Sequence, residues 1–459
     1  MNISRSFAIA VLFLFSSAVS AQIRTPYDSL ALQTARIALR EQQSYAILAD
    51  LCTSIGARLT GSPEAARAVA WAQQKMKGIG LSNVHLQNVR VPHWIRGRES
   101  GFYTIGGRHR TPLHLTALGG SIGTPARGIS GVVIEVDSWE QLKTLGDSVR
   151  GSIVFFNRPM DPSLINPGEA YGRAVDQRVN GAIEASKLGA AAVLVRSMTM
   201  GHDNIPHTGQ MRYDSAVVKI PAAAIGIHDA EAMHAELALG KRVVATVKLG
   251  CKQLPDVESA NVIGEIPGTE KPQEIVLIGA HLDSWDKGQG AQDDGAGCAH
   301  VLDAMRLIKE MNLHPKRTIR VVLFINEENG LSGGLAYAAG RPANETTIAA
   351  IETDNGGFSP RGFTVSDSSA CVSLQQRFAG YLEPLGADRF TRGHGGADVG
   401  PLERAHIPAL ELRVDNQKYF DVHHSDNDVL ENVNARELAL GAAAVADLAY
   451  LLAQEGLDK

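Results

Sequence analysis

No CxxC pair occurs in this chain. Its four cysteines, Cys52, Cys251, Cys298 and Cys371, are scattered, which argues against a zinc–thiolate site or a disulfide framework. Basic residues are no surplus either: 44 Lys and Arg against 49 Asp and Glu leave a formal charge of −5. No nucleic-acid partner is therefore expected, because the basic footprint such a partner needs is missing. Aromatic residues make up 5% of the chain. Beyond the N-terminus no stretch approaches the ~20 apolar residues of a membrane span. What remains is ordinary for a folded protein, 44% apolar and 20% charged over 459 residues. That length exceeds one typical core, so two domains are expected.

Residues 1–21 carry a single positive charge at Arg5, then an apolar run from Phe7 to Phe15, then small residues with Val19 and Ala21 at the cleavage positions. This is the pattern of a signal peptide cut after Ala21. A secreted or periplasmic protein is expected, free of the membrane once the leader is removed. An uncleaved anchor is the alternative.

From 26 to about 76 the pattern is helical, with Ser62 as N-cap, Pro63 at the first helical position and Gly78 or Gly80 near the stop. VHLQNVRVPHW (84–94) alternates as a strand does. Between 113 and 251 short β-branched runs alternate with glycine breaks and two short helices, near 180–188 and 228–237. The texture is that of a β-rich insert. From 261 onward strands (275–278, 317–326, 347–354, 407–414) alternate with helices (296–311, one opening at 331, and 435–454). Such alternation predicts an α/β fold with a doubly wound, mostly parallel sheet. The host domain then comprises 22–112 and 252–459.

The stretch EIVLIGAHLDSWDKGQGAQDDGAG (274–297) organises the rest. Its apolar run delivers His281 and Asp283 at the C-terminal end of a strand, where α/β sheets place their chemistry. Asp293 and Asp294 follow on a Gly-rich loop. Later strand ends add Glu327 and Glu328, then Asp354, and a late loop adds His423 and His424. Alone, each group has a plain structural reading: a buried satisfied histidine, a helix cap, a turn carboxylate. As a set, imidazoles and carboxylates without thiolate suit a zinc-type hydrolytic site, and a bridging carboxylate allows two ions. Of the consecutive carboxylates, one can ligate while its neighbour reaches the attacking water, since successive side chains point opposite ways.

The motifs HLDSW, AQDDGAG, NEENGLSGG, ETDNGG and HHSDND, with GARLTGS at 56–62, resemble the zinc exopeptidase family of bacterial leucyl aminopeptidases (metallopeptidase family 28), most nearly its dipeptidase branch. The segments 149–159, 181–195 and 220–233 are similar to the protease-associated domain often inserted in such enzymes. The resemblance implies two Zn2+ ions bridged by Asp293, with His281 and Asp354 completing one and Glu328 and His424 the other. Glu327 would be the general base, and Asp283 would hydrogen-bond the His281 imidazole and fix its tautomer. Asp294 reads equally well as a cap for the following helix. His423 stands where many members carry Tyr, making it a candidate oxyanion donor, or a plain loop histidine. In the loop 391–402, His394 and Asp398 are candidates to meet the substrate or to fix the loop.

The function implied is hydrolysis of dipeptides, or of the N-terminal residue of short peptides, through a metal-activated water; a homodimer is also implied. Three alternatives stay open. A carboxypeptidase releasing C-terminal Glu would need a basic pocket, with Arg392 and Arg413 as candidates. A single-zinc glutaminyl cyclase shares several of the residue types. A scaffold of the same fold would have lost ligands that are all present here.

Overall fold

The computed structural model describes residues 27–457, so the expected leader at 1–21 lies outside the described residues. Two eight-stranded sheets organise the chain. In the first, the central strands run Arg317–Phe324, Lys271–His281, Thr346–Glu352 and Ala409–Val414, all parallel. Antiparallel pairings flank them: Lys252–Ile266 and Ser82–Ile95 on one side, Pro360–Val365 on the other. The parallel sheet expected from the sequence therefore forms the middle of a mixed one.

The centre is parallel because its strands are apolar on both faces. Every residue of Arg317–Phe324 is buried. Ile319, Val321 and Leu323 pack with the helices Ala296–Glu310 and Ala435–Glu455, while Val322 and Phe324 pack with Tyr337 and Leu402 on the opposite face. This is the two-residue alternation of a strand. Each large aliphatic chain so enclosed contributes roughly 1.5–3 kcal/mol. The helix Ala435–Glu455 is capped by Asn434, whose side chain accepts from Arg436 N and Glu437 N. It is apolar and long enough to cross a membrane, but 83% of its apolar window is buried inside the protein, which marks it as the core helix. All four cysteines are free thiols.

The second sheet belongs to residues 99–249. It starts earlier than position 113, the expected start of the insert, because Glu99–Ile105 and Arg110–Leu113 form a hairpin within it. The Gly106-Gly107 turn, both residues at positive φ, is the signal that marks this hairpin in sequence. Four helices accompany the sheet, where two were expected; Trp139–Leu145 and Pro167–Ala174 are the additional ones. The first is announced by Ser138 and Gln141. Ser138 caps Gln141 N, and Gln141 Oε1 accepts from Asp137 N, a variant of the capping box. On the chain's helical start the sequence reading holds: Ser62 accepts from Ala65 N and Gly80 closes the helix in the left-handed region.

Candidate metal centre

Three neighbouring parallel strands end at the same edge of the first sheet and aim their following residues into one crevice. His281 is the last residue of its strand and fully buried. Glu327 and Glu328 follow Arg317–Phe324, and Asp354 follows Thr346–Glu352. The kinked segment Ala291–Gly295 brings in Asp293; its peptide bond to Asp294 is cis. Asp293 stands in the middle. Its Oδ1 lies 3.1 Å from His281 Nε2 and its Oδ2 3.1 Å from His424 Nε2. Asp354 Oδ1 is 3.6 Å from His281 Nε2, and Glu328 Oε2 is 3.1 Å from His424 Nε2. The structure thus gathers the five expected ligands around one carboxylate, with Glu327 lining the same cavity of about 190 Å³.

The residues around the cluster hold it by its backbone. Asp428 accepts from the amides of Ala291, Gln292 and Asp293 (3.1, 2.6 and 3.2 Å). Asp294 turns away from the cavity, accepting from His281 N and capping Gly297 N. Arg58, wholly buried, donates to the carbonyls of Leu282, Gln289 and Gly290 (2.6, 2.8 and 3.0 Å), pinning both ends of the loop before Asp293. Glu352 accepts from three successive amides, Ala397, Asp398 and Val399. Sequence reasoning passed over Arg58 and Glu352. Arg58 lies inside the GARLTGS motif, which was its one available signal.

Four expectations need correction. His281 Nδ1 bonds the backbone carbonyl of Asp283 at 2.9 Å, while the Asp283 carboxylate is 4.0 Å away. That carboxylate instead accepts from Asn326 N, Glu327 N and the Thr60 hydroxyl, so it positions the Glu327 backbone. His394 is 91% exposed and faces Glu403 outside the cavity; a histidine in a glycine-rich loop had nothing to bury it. Asp398 does not fix its loop through its side chain, because both of its carboxylate oxygens are buried without partners and Glu352 holds the loop. Nor do Arg392 and Arg413 supply a basic pocket here. They bond Ser368 and Thr391 respectively, and neither lines the cavity.

His423 and His424 stack at 3.5 Å between ring centroids, and His423 Nε2 reaches to 3.6 Å from Asp293 Oδ2. The second sheet's module holds this pair in place. Thr208 N donates to His424 O, and His207 Nδ1 meets His423 O at 2.6 Å. Three more of the module's residues, Tyr171, Arg178 and Gln210, line the cavity.

The electrostatics fit a cation. Burial pushes the Glu327 carboxyl up to about 8, with Asp354 and Asp293 adding to the shift and His281 opposing it. Burial likewise raises Glu328 and Asp354. Negative charge so concentrated and desolvated calls for positive charge among it. His281 makes the point by its hydrogen bonding. With Nδ1 directed to a carbonyl, Nε2 faces carboxylate oxygens that can only accept, and despite burial Asp354 and Asp293 hold the imidazole well above its usual range, the mark of a site that favours positive charge. Asp354 Oδ1 and Asp293 Oδ2 have no hydrogen-bond donor. Two imidazoles, three carboxylates and no thiolate form a donor set that zinc accepts.

Fold and site together define a metal-dependent hydrolase whose chemistry sits at the carboxyl edge of a parallel sheet. A family model for peptidase family M28 matches residues 261–449. Bovine carboxypeptidase Q is 37% identical over 414 residues, covering 90% of this chain and 86% of that protein; the human form is also 37% identical over the same length. A peptidase M28 precursor of known structure from Shewanella amazonensis is 37% identical, with a TM-score of 0.90 over 94% of this chain and 98% of that one. A zinc aminopeptidase from Bacillus subtilis shares the fold at 22% identity and a TM-score of 0.64. The chain belongs to peptidase family M28, and it is a zinc metallopeptidase of that family.

Proposed function

We propose that the chain is an exported di-zinc exopeptidase that hydrolyses dipeptides or removes the N-terminal residue of short peptides. The observation that carries this is the position of Asp293, one oxygen towards His281 and the other towards His424 at equal distance. In this reading His281 and Asp354 hold one ion, Glu328 and His424 the other, and Asp293 is shared. When bound, the zinc pair polarises the scissile carbonyl and lowers the pKa of the attacking water.

The remaining work falls to the chain's own groups. Glu327 takes the water's proton and passes it to the leaving amine, a role that supplies about 10²–10⁴-fold. Asp283 fixes Glu327 by holding its amide. His423, kept neutral by burial and by His424 beside it, is the proposed donor to the oxyanion. The relatives named carboxypeptidase favour a second description of the same act: in a dipeptide the first peptide bond is also the last. Export rests on residues 1–21, and the protease-associated character of residues 99–249 rests on their motifs. A homodimer remains part of the proposal.

The test is hydrolysis of a dipeptide panel before and after chelation. Loss of turnover on chelation and its return with zinc is the expected result. Hydrolysis that survives complete metal removal would refute the reading.

A further inference from the structure

The module built on the second sheet places an arginine in the metal cavity. Arg178, on the helix Asp176–Lys187, is 6% exposed and lines the cavity beside the metal ligands. Its guanidinium is confined by two neighbours. The Tyr171 ring centroid lies 5.4 Å from Cζ, and the Tyr171 hydroxyl accepts a hydrogen bond from the guanidinium. Gly209, at φ +134°, packs so closely that any side chain there would collide with Nη1 and Cζ. These contacts place the fork but leave part of its donor capacity unspent. Nε has no hydrogen-bond partner, and Nη1 makes a long 3.5 Å contact with Thr208 O.

The other buried arginines show what a satisfied one looks like. Arg58 donates to the carbonyls of Gly56, Leu282, Gln289 and Gly290. Arg96 pairs with Asp286, at 2.9 Å between Nε and Oδ2. Arg178 has no carboxylate partner among the described residues. Burying an unpaired charge is costly, so a cation held this way is built for an anion that arrives with the substrate.

We propose that Arg178 anchors the free C-terminal carboxylate of a dipeptide. This rests on the exopeptidase reading and deepens it by naming the residue that holds the substrate's C-terminus. A planar fork pairs a carboxylate bidentately, and among the described residues Arg178 is the one Lys or Arg side chain that lines this cavity. Arg178 lines the same cavity as Asp293, Glu328, Asp354 and His424, so a substrate whose scissile carbonyl lies at these ligands can present its terminal carboxylate to the fork.

The experiment compares a dipeptide with its C-terminal amide on the zinc-loaded enzyme, in wild type, Arg178→Gln and Arg178→Lys. In wild type kcat/KM for the free acid should exceed that for the amide by roughly 30-fold or more, the scale of a buried charge pair. In Arg178→Gln the ratio should fall to near one, chiefly through KM, with zinc content unchanged. Arg178→Lys, which keeps the charge without the fork, should lie between. A wild type that treats acid and amide alike, or a ratio that survives Arg178→Gln, would overturn the proposal. Equilibrium binding of a reduced-bond dipeptide and its amide to the same proteins separates the two claims. If no peptide is cleaved, the exopeptidase reading fails, while the acid-over-amide binding preference still supports or overturns the role of Arg178.

Discussion

His281 and His424 both stand 3.1 Å from an oxygen of Asp293, yet they arrive there by different constructions. His281 ends a central strand that is paired on both sides, and its ring is oriented by the Asp283 carbonyl two residues on. Its backbone is further held by Asp294 and Cys298, just beyond the same strand in sequence. His424 lies in a loop, at φ +61°, and its backbone is held by Thr208 across the boundary between the two sheets' modules. One half of the cluster is a consequence of strand order; the other depends on how the second module packs against the first. The strand-built half can exist wherever the sheet does. The loop-built half gives the second sheet's module a direct hold on His424.

The comparison breaks most completely at the group the halves share. Asp293→Ala should lose both ions and bring turnover to background, read by metal analysis and dipeptide assay; an enzyme that keeps two ions would contradict the shared role. Next comes Glu327→Gln, which touches neither half as a ligand. It should lower kcat by about 10²–10⁴-fold with both ions retained, and near-normal turnover would remove Glu327 from its assigned role.

Acid should separate the halves. Burial alone would lower the pKa of His281, but Asp354 and Asp293 outweigh it and hold the imidazole well above the usual histidine range. Burial lowers His424, with Asp293 opposing. As pH falls, the proton therefore competes for His281 first. Zinc content should drop in two steps, the one at higher pH belonging to the His281 half. A single step, or the reverse order, would contradict this. The smallest effect is expected at the brace. His207→Ala removes a ring contact to the His423 carbonyl and should weaken the His424 ion by about 10–100-fold, the usual scale for a group behind a ligand. The His281 ion should be unaffected, as competition with a chelator would report.

The same division governs what could be read from the sequence. Buried β-branched runs ending in His281, Glu327-Glu328 and Asp354 were legible, because a strand fixes where its end residues go. Asp293 and His424 were legible as well, but only through family-like motifs, since nothing local dictates their meeting. Residues whose role is set by distant packing stayed hidden. Arg58 reaches carbonyls more than 220 positions away, Glu352 holds a loop 45 residues on, and Arg178 crosses from one module to the other. His394 failed in the opposite sense: its motif was suggestive, but its loop leaves it exposed.

The central claim is that two ions are held by halves that can be taken apart singly. Zinc per chain, measured on purified wild type, His281→Ala and His424→Ala, tests it most directly. The account predicts two ions in wild type and one in each variant. One ion in wild type, or loss of both ions from either variant, would contradict it.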